Sequence, residues 1–487
     1  MDNLNAPDPR MEFTTDEGIG FPALKHVPVG SREYFSYQLF WRIHFVNRHF
    51  LSMLFWANVG RGLQALRLAP SDRYFSAISG SEALRRWADD DFFTLQNTTF
   101  HNPEMIAACR DLPADLMALL ARPELAQKLA AGALFEVDHL PSIAPFQDQV
   151  QPGRVIAPSR CWYEADGDTL RPLAIEAAGR ITLPSAGDDW VQARRHHQQC
   201  NLLNSQIAYH LLLNHVVVEV FAISMYRWLP AAHPMRFLLM PFVGSVPFVN
   251  NGFGKELIYG TLVRHFSMTR DAVLEYSRHA LRARGFNYFD FTTCVAERGM
   301  TDRPFYTYGV AGARWLTRMN EALDALLDAM YPSDDALAAD APVRRWADEA
   351  LCQLQWTEHL KIADWGRDML RWLLSGILFS SSYRHSIYHY RFHEIMGVRE
   401  NSPFHMNTDG ALPGFWDQLG REMVGCGLDY PNVLYELSSW TPPADPNVAP
   451  KVFATVSELY GVFHAESAAL KAAWPALSTM RLTTMSH

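Results

Sequence analysis

The sequence predicts a mainly α-helical protein built around two long apolar helices, with one small β-sheet. Hydrophobic residues make up 48% and aromatic residues 13% of the 487 residues, which is enough apolar surface for a large core. From Ser31 onwards, most segments repeat apolar residues at helical spacing. Alternation of apolar and polar residues is confined to about residues 134–185, so the sheet is expected there.

The elements follow one another without a domain linker. Residues 1–30 are rich in Pro, Asp and Gly and are expected to form an extended arm, and the helical pattern begins at Ser31. The segments LFEVDHL, RVIAPSRCWYEA and LRPLAIEAAG have the alternation and turn residues of short strands. Loop-rich stretches follow at 396–414 and 438–450, and the sequence contains no internal repeat. We therefore expect the arm, 1–30, and a single domain, 31–487.

Charge and cysteine content narrow the possible functions. The formal net charge is −9 without a basic cluster, which argues against a nucleic-acid partner and against docking on anionic membranes. The N-terminus lacks the basic and apolar regions of a signal peptide, so we expect a cytoplasmic protein, and a monomer. The cysteines form no CxxC pair and are expected to be reduced core thiols. They are Cys109, Cys161, Cys200, Cys294, Cys352 and Cys426.

One apolar run contains polar residues that need an explanation. The run YHLLLNHVVVEVFAI, residues 209–223, holds two histidines, an asparagine and a glutamate. A transmembrane helix needs about 20 nearly uninterrupted apolar residues, so this run is expected to be a buried helix instead. Histidines buried there would form hydrogen bonds, bind a metal or transfer protons.

The histidine spacing leaves two interpretations open. His210 and His215 are five residues apart, about 140° around a regular α-helix, whereas a π-helical turn with i→i+5 hydrogen bonds would bring them onto one face. His385 and His389 are four residues apart, on one face of a second apolar helix. The two pairs could form one metal site. Each histidine could also be an ordinary core residue with a hydrogen-bond partner.

The residues around both pairs resemble the metal-ligand helices of the lipoxygenase family. The first pair lies in a run of about fifty residues that matches this family's iron-ligand helix without a gap. The second pair lies in ILFSSSYRHSIYH, which is similar to the family's second ligand helix, and weaker similarity extends over about residues 130–395. The positions in register with the first helix are Trp190, Ala193, Gln206, His210, His215, Glu219, Arg227, Leu229, His233, Pro234, Leu238, Leu239 and Pro241.

The resemblance implies a lipoxygenase-like helical catalytic domain that binds a non-haem iron, with manganese left open. The implied ligands are His210, His215 and His385, which catalysis would require, with His389 and either the terminal carboxylate or the side chain of His487. Lipoxygenases remove a hydrogen atom from a bis-allylic methylene and add O2, giving a hydroperoxide. An unsaturated fatty acid or fatty-acyl group and O2 are therefore the implied substrates.

The same register implies residues that line the substrate cavity. They are Gln206, Leu211, Phe253 and Ile258, and the large ring of Phe253 stands where the family commonly has Ala or Gly. A ring there would shorten or reshape the cavity. The family counterpart of Gln206 belongs to a hydrogen-bond network between iron and substrate, but the partner glutamine expected from the family is Phe392 here. This difference weakens the role implied for Gln206.

Glu219 and Arg227 are expected to orient the ligand histidines without binding the metal themselves. Glu219 lies four residues beyond His215 and could hydrogen-bond a ligand imidazole, pair with Arg227, or accept from a backbone amide. If both histidines of the first helix face one ion, the helix must contain at least one i→i+5 hydrogen bond between about residues 205 and 219.

Departures from the family pattern leave the substrate open. The chain has no room for the N-terminal β-barrel of plant and animal members, so a divergent, compact domain of the bacterial kind is expected. The family's Glu-Pro is Glu219-Val220, and its usual C-terminal isoleucine is His487. One alternative is a lipoxygenase-like oxygenase of specialised metabolism that acts on another unsaturated small molecule. Another is a metal-free lipid-binding protein, although four imidazoles in an apolar core argue against it.

Overall fold

Helices dominate the computed structural model, which describes residues 8–14, 21–28, 85–252, 262–391, 395, 400–401, 403–412, 448–478, 480 and 482. The predicted mainly α-helical fold is confirmed. In chain order the described α-helices are α1 (Asp90–Thr98), α2 (Ala114–Leu120), α3 (Glu124–Ala130), α4 (Leu140–Ile143), α5 (Asp188–Leu203), α6 (Val217–Trp228), α7 (Pro234–Val243), α8 (Val246–Gly252), α9 (Arg270–Phe289), α10 (Phe291–Glu297), α11 (Thr307–Met330), α12 (Asp334–Ala338), α13 (Ala341–Gln353), α14 (Arg367–Phe379), α15 (His385–His389) and α16 (Pro450–Ala473).

Four of the five strands of the small sheet lie where the alternating segments predicted them, and the edge strand Ile106–Ala108 lies outside that range. The five strands are antiparallel and follow the spatial order Ile106–Ala108, Leu134–Asp138, Ser159–Asp166, Thr169–Ala177 and Arg180–Thr182. The third and fourth form a hairpin whose turn contains Gly167 at a φ of 60°. Such a φ favours glycine because it has no Cβ. The described strands are β1 (Phe13–Thr14), β2 (Ala23–Leu24), β3 (Ile106–Ala108), β4 (Leu134–Asp138), β5 (Arg154–Val155), β6 (Ser159–Asp166), β7 (Thr169–Ala177), β8 (Arg180–Thr182) and β9 (Met406–Asn407).

Polar residues fix where several helices begin. Thr269, Asp290, Ser333 and Asp340 precede α9, α10, α12 and α13, and each side chain accepts a hydrogen bond from a backbone N–H of the first turn. These bonds satisfy N–H groups that have no partner within the helix. The helix boundaries around the core therefore follow from short polar signals in the sequence.

The N-terminal arm contacts the helical core. Its described parts form a two-stranded antiparallel ladder of β1 and β2, and β2 packs against α6 and α8. Leu24 of β2 is completely buried. The predicted boundary at residue 30 and the helical pattern from Ser31 to residue 84 lie outside the described residues, so the division into arm and domain stays a prediction.

The central helix runs without interruption from Asp188 to Trp228, through α5, a π-helical segment at Asn204–Val216, and α6. The π-helical segment confirms the i→i+5 bonding predicted between residues 205 and 219. By length and composition this helix could cross a membrane, but 94% of its most apolar window is buried inside the protein. It is therefore a core helix, and α7, α8, α9, α13 and α15 pack against it.

The second histidine helix, Arg367–His389, also contains a π-helical turn. This turn, Ser380–Arg384, joins α14 to α15 and was not predicted. The hydroxyl of Ser381 donates to the carbonyl of Ile377 at 2.7 Å, and that of Ser382 donates to Leu378 at 2.5 Å. Serine hydroxyls that bond to carbonyls of the preceding turn distort helices, which agrees with the widened turn here.

The cysteine prediction holds for part of the chain. Cys109, Cys161 and Cys200 are buried free thiols, as predicted for core residues. Cys294 is partly buried, whereas Cys352 is exposed, so the core prediction is wrong for Cys352. That side chain lies on the outer face of α13, whose inner face packs on the core. Cys426 lies outside the described residues.

Candidate metal centre

Four histidines from two helices meet in the core. The π-helical segment supplies His210 and His215, and α15 supplies His385 and His389. One ring nitrogen from each lies within 4.8 Å of those of the other three. The ring centroids are 4.2 Å apart for His385 and His389 and 5.5 Å apart for His210 and His385. The widened helix thus brings the five-spaced pair onto the face that meets α15.

The spacing and chemistry of this cluster suit a transition-metal ion. Two imidazole nitrogens on opposite sides of an ion, each about 2.1 Å from it, are about 4.2 Å apart. A greatest separation of 4.8 Å therefore needs only small ring rotations for all four to bind. Imidazole is a good ligand for iron, copper, nickel and zinc. The four imidazoles therefore suit non-haem iron, but they would also suit the other three metals.

Amide oxygens orient two of the four rings. The Nδ1 atom of His210 lies 2.9 Å from Gln206 Oε1, and the Nδ1 atom of His215 lies 3.0 Å from Asn250 Oδ1. A carbonyl oxygen can only accept a hydrogen bond, so both Nδ1 atoms must carry the hydrogen. The lone pair on each ring is then on Nε2, which is the nitrogen that can bind an ion. Partners of this kind commonly fix the orientation of metal-binding histidines.

Asn250 connects His215 to a buried carboxylate. Its Nδ2 atom donates to Glu219 Oε2 at 2.7 Å and to the carbonyl of His215 at 3.1 Å. Glu219 is 1% exposed, and its Oε1 accepts from the backbone N–H of Leu24 at 2.8 Å. Of the three partners considered from the sequence, the backbone amide is therefore present. Glu219 reaches the His215 imidazole through Asn250.

Arg227 lies away from the histidine cluster and does not pair with Glu219. Its Nε atom is 2.9 Å and 3.0 Å from the two carboxylate oxygens of Glu349 on α13. Arg227 is twelve residues beyond His215 in the sequence, about 18 Å along a helix. The expected role in supporting the ligands is replaced by an ion pair that holds the end of the central helix against α13.

Two tyrosines pack beside the first pair of histidines. The Tyr388 ring stacks on the His210 ring with 6.0 Å between centroids and 10° between planes, and it stacks on the Tyr209 ring at 6.3 Å and 8°. Burial raises the pKa of both phenols, so they are neutral at physiological pH. These rings restrict the orientation of His210 without adding charge to the site.

Comparison with known proteins finds similarity to lipoxygenases in sequence and in fold. The human polyunsaturated fatty acid lipoxygenase ALOX15B is 26% identical over 292 residues, which cover 56% of this chain and 43% of that protein. The human hydroperoxide isomerase ALOXE3 is 25% identical over 386 residues, which cover 70% of this chain and 52% of that protein. A crystal structure of a lipoxygenase deletion variant in complex with arachidonate has a TM-score of 0.79 at 17% identity, over 98% of this chain and 80% of its own.

The chain is therefore similar in sequence to lipoxygenases and has the fold of their catalytic domain. A calcium-dependent 11R-lipoxygenase structure has the same fold, with a TM-score of 0.69 at 19% identity over 83% of this chain and 66% of its own. No protein-family model matches the chain. The chain spans about half the length of the two curated relatives compared above.

The lipoxygenase fold brings together the four histidines predicted as ligands, and their binding of a metal stays a prediction. Gln206 contacts His210 instead of a second glutamine, and Leu211 follows His210 as a buried residue. The other predicted site residues lie outside the described parts of the chain, so the cavity shape and the fifth ligand stay predictions. They are Phe253, Ile258 and His487, together with Phe392, which replaces the expected glutamine.

Asn250, which contacts His215, was not among the residues predicted for the site. This residue lies on α8 in the apolar segment VPFVNNG, 35 residues beyond its partner His215. A side-chain amide on an otherwise apolar helix was an available signal, since a buried amide must find hydrogen-bond partners. The pattern indicated that partners were needed, but it did not identify them.

Proposed function

We propose that this chain is a lipoxygenase, a non-haem iron dioxygenase that adds O2 to an unsaturated fatty acid or fatty-acyl substrate. The observation that carries the proposal is the cluster of four histidines, in which amide oxygens orient two rings. Relatives named as polyunsaturated fatty acid lipoxygenases and a structural neighbour that holds arachidonate support this substrate class.

The side chains of the cluster have separable roles. His210, His215, His385 and His389 would hold the ion through imidazole nitrogens, and Gln206 would keep His210 in the tautomer that binds. Bound iron would supply the one-electron chemistry that removes a hydrogen atom from a bis-allylic methylene, and O2 would add to the resulting carbon radical. The apolar helices around the cluster keep water away from reactive species.

A second candidate is isomerisation of a fatty-acid hydroperoxide. One observation favours it, since the human hydroperoxide isomerase matches 386 residues of sequence, against 292 for the human lipoxygenase. Such a reaction rearranges a preformed hydroperoxide and has no net requirement for O2. The same four histidines would serve either reaction, so the cluster alone does not separate them.

Oxygen uptake separates the two candidates. Purified protein is incubated with linoleate or arachidonate, and with the corresponding hydroperoxide, while dissolved O2 and the ultraviolet absorbance of conjugated diene are recorded. O2 uptake with diene formation from the fatty acid supports the dioxygenase. Loss of hydroperoxide without O2 uptake supports the isomerase. Protein that contains iron but leaves both substrates unchanged would contradict both and favour a different unsaturated substrate.

A further inference from the structure

Glu104 lies in the loop between α1 and β3 and contacts both histidine helices. Its carboxylate Oε1 accepts from the Nε atom of Arg384 at 3.0 Å, and its backbone carbonyl accepts from the hydroxyl of Tyr209 at 3.4 Å. Arg384 immediately precedes His385, and Tyr209 immediately precedes His210. A single residue therefore connects the two helices one position before a candidate ligand in each.

The ion pair between Glu104 and Arg384 is fully buried. Both side chains are 0% exposed, and the Arg384 guanidinium lies 3.8 Å from the centroid of the Tyr288 ring. Phe291 and Phe379 flank the same guanidinium at 5.5 Å. These rings offset part of the cost of removing the cation from water. The carboxylate supplies the opposite charge, without which a buried guanidinium is strongly destabilising.

The π-helical turn before His385 is held at three consecutive residues. The hydroxyl of Ser382 accepts from Trp315 Nε1 at 3.3 Å, and the hydroxyl of Tyr383 donates to the carbonyl of Tyr308 at 2.9 Å. The third anchor is the ion pair formed by Arg384, whose partner Glu104 also accepts from the Tyr308 hydroxyl. The rotation of the turn is therefore set by α11 and by Glu104 together.

We propose that Glu104 is a positioning residue for the metal centre, which sets the alignment of His385 relative to His210. This inference rests on the proposed function, because it requires that the histidines bind a metal. Ligands must be held within about 0.5 Å and 10–20° of their working geometry. Loss of the Glu104 carboxylate would release Arg384 and let the turn before His385 rotate. Removal of a partner that orients a ligand commonly lowers metal affinity 10–100-fold.

The experiment uses Co²⁺ as a spectroscopic probe of the metal-free protein. Binding affinity, visible absorption and melting temperature are measured for the wild type, Glu104→Gln, and Glu104→Gln combined with Arg384→Met. Glu349→Gln is the matched control, since it removes a carboxylate paired with an arginine at the far end of the central helix. The double variant guards against misfolding, because it removes the carboxylate and the fully buried guanidinium of Arg384 together. Arg298, whose Nη2 atom lies 3.9 Å from Glu104 Oε2, keeps its hydrogen bonds to two backbone carbonyls and to the Tyr306 hydroxyl.

The expected result separates positioning from stability. Both Glu104 variants should bind Co²⁺ 10–100-fold more weakly with a shifted absorption band, and only the double variant should regain melting temperature. Glu349→Gln should lower the melting temperature and keep wild-type affinity. Wild-type affinity and spectrum in the double variant, or an equal affinity loss in Glu349→Gln, would overturn the positioning role and leave the proposed function standing. A wild-type protein that binds no Co²⁺ would overturn both.

Discussion

Replacing Glu219 with glutamine tests the contacts that orient His215. The Glu219 carboxylate accepts from the N–H of Leu24 at 2.8 Å and from Asn250 Nδ2 at 2.7 Å. Glutamine has nearly the same volume, but it offers one oxygen and one NH₂ group, so one of these two donors would face another donor. A hydrogen bond to a charged group contributes about 1.5–3 kcal/mol. We expect Glu219→Gln to lower the free energy of unfolding by about 2–4 kcal/mol.

The same substitution should weaken metal binding through the tautomer of His215. The donor conflict is relieved if the Asn250 amide turns over, which directs its NH₂ group at His215 Nδ1. That nitrogen would then have to accept, so the ring hydrogen would move to Nε2 and remove the lone pair that binds the ion. We expect a metal affinity about 10–100-fold below that of the wild type.

Two measurements on metal-free protein check this prediction. Urea unfolding followed by tryptophan fluorescence gives the stability change, and Co²⁺ titration gives the affinity change. Glu349→Gln serves as the control, because its carboxylate pairs with Arg227 at the end of the same helix and has no contact with Asn250. It should lower stability and leave affinity unchanged. A Glu219→Gln protein with wild-type Co²⁺ affinity would refute the orientation argument, whatever its stability.

Three further changes test separate parts of the structure. A Cβ at Gly312 would lie 2.6 Å from Phe291 and 2.9 Å from Tyr383. Gly312→Ala should therefore lower the free energy of unfolding, measured by thermal unfolding, by about 1–3 kcal/mol and should lower the metal content. Unchanged stability and metal content would contradict this packing. His389→Asn should keep metal at reduced affinity, because an amide oxygen can still act as a ligand beside the three remaining histidines. Elemental analysis that finds no metal would contradict this prediction. Burial raises the pKa of Glu136 from 4.5 to about 7. The folded state therefore favours the protonated acid. As the pH rises from about 4.5 to about 7, the wild type should lose up to about 3 kcal/mol of stability relative to Glu136→Gln. If urea unfolding gives a stability difference that does not change with pH, the pKa shift is contradicted.

Local patterns predicted the elements that carry the site. The five-residue spacing of His210 and His215 in an apolar run required a widened helix if both faced one ion, and the structure has one at Asn204–Val216. The four-residue spacing of His385 and His389 is satisfied by an ordinary α-helix, so it gave no reason to expect the π-helical turn at Ser380–Arg384. Two serines of that turn, Ser381 and Ser382, carried the signal, because their hydroxyls bond to carbonyls of the preceding turn.

Contacts between distant segments could not be predicted. Asn250 is 35 residues from His215, and Glu104 is 280 residues from Arg384. Each polar residue indicated that a buried partner was needed, but the choice of partner depends on how the helices pack. The same limit applies to Arg227, whose guanidinium had acidic candidates throughout the chain and pairs with Glu349 on α13.

Iron content shows whether the four histidines bind a metal. Wild-type protein, His385→Ala and His139→Ala are purified in parallel, and iron per chain is measured by elemental analysis. His139 is a matched control, since it is a fully buried histidine bonded to Asn201 and Asn204, outside the cluster. We expect about one iron per chain in the wild type and in His139→Ala, and a sharp loss in His385→Ala with the helical circular dichroism retained. Full iron content in His385→Ala would contradict the four-histidine metal centre.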